Sequence, residues 1–274
     1  MDTTLLESNH EEADSRMILH CLQTDAPNIV VVARDTDVLV LLVANFGRMS
    51  CTRLWMKAGT MKKPKYVPVH DIRRELGLAD HVYEILPAFH SVTGCDTVSF
   101  FSGHSKRTEW DIFLEHNSLL KDLGKFPTPS KQVTEDAEKF ICHIYKEPSE
   151  NCNQARIKLF SKCHAMETLP PSSDAAKFHI ERANYQGFIW REAHNPMPSL
   201  PPPTECGWRL VDGKLSPVLK TLPPIPKGCR ELVQCSCTKG CSTNSCSCRK
   251  WGSQLCTDAC KCNVAEIPCR NRVK

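Results

Sequence analysis

The chain has 274 residues, of which 17 are cysteine and 24% are charged, and its formal net charge is +4. This length allows one medium-sized domain and one small module. The N-terminus has no apolar run typical of a secretory signal, and Arg34, Asp35 and Asp37 interrupt the most apolar stretch, residues 29–46. The composition therefore predicts an intracellular protein and argues against secretion and against a membrane span.

The first predicted elements alternate between helix and strand. HEEADSRMILHCL has a helical pattern, and Ser8 or Asn9 could cap this helix. The β-branched run NIVVVA, residues 28–33, predicts a buried strand. It leads into Asp35-Thr36-Asp37 and then into VLVLLVANF, a predicted buried helix. This alternation continues to about residue 115 and predicts an α/β layer.

Acidic residues recur in three short motifs of this region. They are Glu12 and Asp14 in the first helix, Asp35 and Asp37 after the strand, and Asp96 after a glycine in HSVTGCD. Each motif alone has a simpler explanation, since acids in a first helical turn favour the macrodipole, as we expect for Glu11, and an Asp after a strand often caps a loop. Carboxylates at the end of such a strand also lie where open α/β sheets bind ligands. Crowded carboxylates would need divalent cations such as Mg²⁺ or Mn²⁺ to neutralise them, and two such ions can promote phosphodiester hydrolysis.

The order of these motifs resembles that of the flap-endonuclease/XPG-type PIN-like nucleases, over residues 9–115. The resemblance implies that the five acids are metal-binding catalytic residues. The stretch VHDIRRELGLADHVYEILPAFHSVTGCD resembles the helix that leads to the family's last aspartate. GCDTVSFFSGHSKRTEWDIF resembles the helix-two-turn-helix that contacts duplex phosphates, with Gly103 at its first hairpin glycine and Ser105 in place of the second. Lys106 and Arg107 could add positive charge there.

The resemblance is incomplete at the start of the chain. These nucleases begin with a strand and an aspartate well before the acidic helix, and they carry a further aspartate on a later segment. This sequence starts ten residues before Glu11, so we expect both acids and at least one central strand to be missing. Residues 1–115 are therefore predicted to form an incomplete three-layer PIN-like domain. Either the chain is an N-terminally incomplete form or this copy no longer cuts, so catalysis by a metal-dependent endonuclease stays open.

The middle of the chain contains helices and then prolines. Residues 116–195 are predicted to form a helical extension, in which Ser172, Ser173 and Asp174 could cap a helix that packs on the α/β domain. Residues 196–230 contain NPMPSLPPPTE and TLPPIPKG, two runs typical of a stiff and extended connector. Asp212-Gly213 between them predicts a hairpin turn.

Nine cysteines are crowded into the last forty residues. They are Cys235, Cys237, Cys241, Cys246, Cys248, Cys256, Cys260, Cys262 and Cys269. The number is odd and C-x-C pairs cannot bridge without strain, which argues against the alternative of a secreted disulfide scaffold. The same spacing suits thiolates that converge on zinc. Three zinc ions need twelve ligand positions, which nine sulfurs can fill if three of them each bridge two ions.

This cluster, in a predicted module of residues 231–274, resembles the tesmin-type CXC (CRC) domain, a cysteine-rich DNA-binding module, most closely from Cys235 to Cys262. The resemblance implies three Zn²⁺ ions held by the nine cysteines. The chain has one CXC repeat where the DNA-binding members usually have two, and Ser245 replaces their minor-groove tyrosine. We therefore expect no sequence-specific base reading. Arg249 and Lys250 could hold phosphates in a salt-sensitive way, although part of the module's positive charge balances the thiolates.

The sequence as a whole predicts a nucleic-acid-binding protein with a zinc-cluster module and a nuclease-type domain that does not cut in this form. The alternatives are an active Mg²⁺- or Mn²⁺-dependent, structure-selective endonuclease and a zinc-dependent adaptor for protein interactions. The expected partners are nucleic acid, with DNA favoured over RNA, and chromatin proteins; no membrane and no small-molecule substrate are expected. A nuclear location is predicted, and the architecture resembles that of proteins derived from mobile elements.

Overall fold

The computed structural model of the chain describes residues 7–160 and 168–222. In the C-terminal region it describes residues 235–238, 240–243, 245–250, 256, 260–263 and 269–271. The chain divides into two compact units, Met1–Leu219 and Lys220–Lys274, which we call the N-terminal and C-terminal units. Helices and strands are mixed in the first unit, and a cysteine-rich cluster occupies the second, so the α/β class is confirmed at this level.

The helices of the N-terminal unit are α1 (Ala13–Leu22), α2 (Thr36–Asn45), α3 (Val69–Leu76), α4 (Asp80–Val92), α5 (Lys106–His116), α6 (Lys131–Ile144), α7 (Cys152–Phe160) and α8 (Ser173–Arg191). Its strands are β1 (Asn28–Val32), β2 (Arg53–Thr60), β3 (Lys63–Pro68), β4 (Trp208–Val211) and β5 (Lys214–Pro217). In the described ranges, no helix combines the length and the apolar character that crossing a bilayer requires.

The main sheet has the strand order β1-β2-β3. β1 and β2 are parallel and are connected through α2, with Val32 opposite Lys57, whereas β2 and β3 form an antiparallel hairpin. β1 lies where the sequence predicts a strand, but the expectation of a buried strand is wrong. Val30 and Val32 are 51% and 72% exposed, because β1 is an edge strand and only one of its faces is covered.

Helices α2, α4 and α8 surround the main hydrophobic core. α2 is the predicted buried helix, and Leu41 and Leu42 in it are fully buried. The ring of Phe89 in α4 stacks on that of Phe113 in α5 at 4.5 Å between centroids. α8 packs against α4, as expected for a helix of the scaffold, and the Ser172 side chain caps it by accepting a hydrogen bond from the backbone N–H of Ala175.

The start of α1 differs from the prediction. The helix begins at Ala13, and neither Ser8 nor Asn9 caps it. The backbone N–H of Asn9 instead donates to the carbonyl oxygen of Pro196, and its side chain donates to that of Pro198. Residues from the first proline run therefore hold the segment before α1, and this part of the predicted connector packs on the N-terminal unit. The hairpin turn at Asp212-Gly213 is confirmed by the antiparallel pair β4 and β5.

Candidate functional site

The acids of the three sequence motifs come together where β1 ends. Glu12 and Asp14 stand at the start of α1, Asp35 and Asp37 at the start of α2, and Asp96 in the loop after α4. Their proximity is evident in Asp14, whose pKa is raised to about 6 by burial and by the negative charges of the other four side chains. We call these five residues the acidic cluster.

Two hydrogen bonds orient the carboxylates that follow β1. The side chain of Asp35 accepts a hydrogen bond from the backbone N–H of Asp37 at 2.9 Å and so caps α2. The carboxylate of Asp37 is buried and lies 2.7 Å from Nε2 of His90, a buried residue of α4. Asp35 therefore also has the simple capping role that its position predicts, whereas Asp37 is fixed by a partner distant in sequence. Asp96 is exposed.

A relay of side chains fixes Glu12. The hydroxyl of Thr97 donates to Oε1 of Gln186 at 2.6 Å, and Nε2 of Gln186 donates to both carboxylate oxygens of Glu12, at 3.0 and 3.1 Å. Burial raises the pKa of Glu12, and the bond from Gln186 opposes that shift. Sequence reasoning missed Gln186 and His90. The available signal was a polar residue on the buried face of a helix, which needs a polar partner.

The acidic cluster is open rather than a closed metal cage. Among the described residues, the groups of three or more metal-ligating atoms that lie within 4.8 Å of one another are all cysteine groups. The carboxylates are close enough to repel one another but not to enclose a bare ion. Mg²⁺ keeps several waters and is usually bound through one or two carboxylates, so such an ion would not need a closed cage. Neutralisation of the mutual repulsion would favour such an ion.

A cavity of about 320 Å³ adjoins the acidic cluster at Glu12. Its walls are largely apolar, and Tyr185 of α8 and Trp208 of β4 contribute to them. His10 also lines it, with Nε2 donating to the backbone oxygen of Asn195 at 2.6 Å and with Nδ1 buried and unbonded. The sequence did not indicate this cavity, because its walls come from α1, α8 and the β4–β5 hairpin, which are far apart in the chain.

The residues predicted to contact phosphates have different surroundings. Gly103 is exposed and has a φ of +81°, a left-handed conformation that favours glycine. The ammonium group of Lys106 donates to the backbone oxygen of His90 at 2.9 Å and to the hydroxyl of Thr93 at 2.8 Å, and burial lowers its pKa to about 8. Its charge is thus engaged within the domain. Arg107 is exposed, and contact of these residues with nucleic acid stays a prediction.

The cysteine cluster is the second candidate site. Three groups of four sulfur atoms each lie within 4.8 Å of one another: Cys235, Cys241, Cys246 and Cys256; Cys235, Cys248, Cys256 and Cys260; and Cys241, Cys256, Cys262 and Cys269. Cys237 packs against the cluster outside these groups. The groups share Cys235, Cys241 and Cys256, and thiolates that bridge metal ions would be shared in the same way.

All nine of these cysteines are free thiols, and those with the closest contacts are 3.5 to 3.9 Å apart between sulfur atoms. A disulfide bond would bring two sulfurs to about 2.05 Å. Burial raises the pKa of Cys256 to about 11, so without a cation this thiol stays protonated, whereas hydrogen bonds from the backbone and from neighbouring cysteines outweigh burial and lower the pKa of Cys246 to about 7. Zinc would supply the positive charge that allows the crowded thiols to ionise together. The donor set therefore fits a thiophilic metal such as zinc.

Asn271 supports the cluster from outside. Its backbone oxygen accepts a hydrogen bond from the N–H of Cys256 at 2.7 Å, and its buried side-chain amide lies 3.4 Å from the sulfur of Cys256. An N–H donor at a metal-binding sulfur tunes the ligand and holds its orientation. Arg249 and Lys250 are exposed in the single helical turn Ser247–Lys250. The sequence did not single out Asn271, because nothing in the cysteine spacing points to an amide.

No family model matches the chain, and no curated protein or solved structure matches it at a significant level. The likeness of residues 9–115 to PIN-like nucleases and of residues 231–274 to CXC domains therefore stays a prediction from the motifs.

Proposed function

We propose that the chain is a nucleic-acid-binding protein whose C-terminal unit is a zinc-cluster module. The observation that carries this proposal is the convergence of eight cysteine sulfurs in three overlapping groups of four. Three Zn²⁺ ions would use these sulfurs together with that of Cys237, with some thiolates shared between ions. Because such a site does not form in an unfolded chain, zinc binding and folding of this small unit are coupled.

The charge on the surface of the module supports nucleic acid as its partner. Arg249, Lys250, Lys261 and Arg270 are exposed among its described residues. Cations of this kind contact phosphates without reading bases, which gives an affinity that falls steeply with salt. The exposed Ser245, whose hydroxyl lies 2.6 Å from that of Thr243, offers no large side chain for insertion into a groove. The module is therefore proposed to bind duplexes without sequence preference.

The test combines metal analysis with duplex binding. Cys246 is fully buried in the cluster, so Cys246→Ser should lower the bound zinc measured by elemental analysis and weaken binding to a labelled duplex. Cys51→Ser is the matched control, because Cys51 is a buried thiol of the N-terminal unit and should leave both quantities unchanged. Duplex binding that survives in Cys246→Ser despite the loss of zinc would show that the zinc module does not carry the binding, and would overturn this assignment.

A second candidate function is metal-dependent cleavage of nucleic acid, and the assembly of the five acids around the end of β1 favours it. In this proposal the acidic cluster would hold Mg²⁺ or Mn²⁺, and such an ion activates water and stabilises the leaving oxygen of a phosphodiester. The chain's own residues fix the carboxylates: the bond between His90 and Asp37 and the bonds from Gln186 to Glu12 hold two of them in place.

Cleavage of flap, hairpin and single-stranded DNA in Mn²⁺ tests this second candidate. Asp35→Asn should abolish cleavage but keep the fold, since Asn caps a helix as well as Asp does. Asp111→Asn, at an exposed position of α5, is the control and should leave cleavage intact. If the unchanged chain binds duplexes but does not cleave them, the second candidate function is refuted and the proposed nucleic-acid binding stands.

A further inference from the structure

The longest segment of the N-terminal unit with charges of a single sign runs from α2 to α3. Between residues 38 and 70 the chain has six basic residues and no acidic one: Arg48, Arg53, Lys57, Lys62, Lys63 and Lys65. Four of the six lie in the outer part of the β2–β3 hairpin. We call this part, residues 57–66, the basic ribbon.

The basic ribbon projects from the domain. Residues 59–66 are all exposed, and Met61 at the turn is 96% exposed. Lys63 pairs with Thr60 and Lys65 with Ala58, so both lysines are on the same face of the hairpin, because alternate residues of a strand share a face. Lys62 lies in the turn beside them. Three ammonium groups therefore gather at the outer end of a thin ribbon.

Acidic side chains of the domain do not neutralise these charges. In the described ranges, no ion pair involves a lysine of the basic ribbon, whereas Lys131, Lys139 and Lys177 on the helices each pair with a glutamate. The ribbon thus presents uncompensated positive charge to the solvent. A surface of this kind attracts polyanions, and the attraction depends on salt.

The register of the sheet puts the ribbon beside the acidic cluster. β1 ends at Val32 opposite Lys57, and Asp35 follows three residues later. β2 continues past this end of β1 into the ribbon, so the ribbon rises from the edge of the sheet at which the acids lie. Met61 lies four positions beyond Lys57, which corresponds to a reach of about 13 Å. A DNA major groove admits a two-stranded β-ribbon of this kind.

We infer that the basic ribbon binds the phosphate backbone of duplex nucleic acid and holds it over the acidic cluster. This inference rests on the proposed nucleic-acid-binding function and assigns part of it to the N-terminal unit. The acidic cluster alone repels phosphates, and the ribbon supplies the attraction at the same edge of the sheet. Gly59 and Pro64 face each other in the hairpin and keep the ribbon narrow. A Cβ atom at Gly59 would come within 2.5 Å of the backbone oxygen of Lys63, so only glycine fits there.

The test compares two triple variants of the full chain with the same loss of charge. In the first, Lys62, Lys63 and Lys65 are replaced by Gln. In the second, the control, Lys131, Lys139 and Lys177 are replaced by Gln. Duplex affinity is measured by fluorescence anisotropy between 50 and 300 mM salt. Each lost phosphate contact lowers the slope of log affinity against log salt by about 0.9, so the ribbon variant should lose about 2 to 3 units of slope. Its affinity near 0.1 M salt should fall on the order of 100-fold, and the control should keep both values.

Each outcome of this test decides the inference. A loss confined to the ribbon variant, with its zinc content unchanged, supports it. If the ribbon variant binds as tightly as the unchanged chain, the ribbon's role is overturned and the zinc module remains as the binding site. An equal loss of affinity in the ribbon variant and in the control also overturns the ribbon's role, because the loss then reflects net charge alone. Absence of duplex binding by the unchanged chain overturns both the inference and the proposed function. Equally tight binding of polyglutamate through the ribbon would overturn the assignment to a duplex.

Discussion

Replacement of Asp14 by Asn should stabilise the N-terminal unit when no divalent cation is added. Asp14 has its pKa raised from 3.8 to about 6 by burial and by the neighbouring carboxylates. At pH 7.5 the side chain is ionised in both the folded and the unfolded chain. The folded state is therefore destabilised by the full free energy of placing this charge in a partly buried site beside other carboxylates. A shift of about two pKa units corresponds to about 3 kcal/mol, and because much of Asp14 is exposed, solvent screening reduces this to about 1 kcal/mol.

The sign of this effect fixes its pH dependence. As the pH falls through 6, the folded chain takes up a proton on Asp14 before the unfolded chain does. The cost of the charge then disappears, and below about pH 4 both states are protonated. The advantage of Asp14→Asn should therefore be complete above pH 6 and absent near pH 4. With an added divalent cation at pH 7.5, the unchanged chain should become more stable than Asp14→Asn, because the cation stabilises the unchanged chain more than the variant.

Urea unfolding followed by tryptophan fluorescence measures this effect at pH 7.5 and pH 4. Asp14→Asn is compared with the unchanged chain at each pH, because acid also releases zinc from the thiolates in both. Asp111→Asn removes an exposed acid of α5 and should change the free energy of unfolding by less than about 0.5 kcal/mol. If Asp14→Asn is neutral or destabilising at pH 7.5, the carboxylates do not crowd one another, and the case for a divalent-cation site at the end of β1 is lost.

Two further predictions concern the scaffold. Burial lowers the pKa of His179 to about 4, so the free energy of unfolding should fall by up to about 3 kcal/mol as the pH drops from 6.5 towards 4. His179→Gln should flatten this part of the plot of unfolding free energy against pH, measured with urea, and an unchanged plot would contradict the prediction. A Cβ at Gly124 would come within 2.7 Å of the Gly187 backbone in α8, so Gly124→Ala should cost at least about 2 kcal/mol in thermal unfolding. Gly103 has a similar φ, but no atom lies near the position of an added Cβ, so Gly103→Ala should lower the free energy of unfolding by only about 1 kcal/mol. Equal losses in the two variants would refute the close approach of Gly124 to the Gly187 backbone.

The local sequence pattern predicted the positions of many helices and strands but not which of their residues are buried or which distant segments contact them. The β-branched run predicted β1, yet the exposure of Val30 and Val32 depends on which elements cover the sheet. The predicted caps Ser8 and Asn9 failed because segments distant in sequence compete for the same backbone: Asn9 bonds to the proline segment, and α1 starts at Ala13. The cap at Ser172 succeeded because its bond to Ala175 lies within one helical turn.

The same distinction applies to the candidate sites. The spacing of the cysteines indicated a metal cluster because most of the ligands lie within thirty residues of one another, and their sulfurs do converge. The order of the acidic motifs indicated the acidic cluster, but its supports, Gln186 and His90, come from α8 and α4. The basic ribbon went unnoticed because its turn, Thr60-Met61-Lys62-Lys63, lacks the Asn-Gly or Asp-Gly signal of a hairpin.

The two charged features at the end of β1 depend on each other. The five carboxylates of the acidic cluster, four of which help burial to raise the pKa of Asp14, create a field that repels a phosphodiester, and a hydrated divalent cation cancels only part of it. In our proposal, neighbouring cations cancel the remaining negative charge. The register of β1 with β2 puts Lys57 and the rest of the basic ribbon at the end of the sheet where the acids lie. Under the proposed function, acids alone would bind metal but repel a phosphodiester, and lysines alone would bind a duplex without acting on it. The presence of both features at one end of the sheet is therefore the arrangement that our proposal requires.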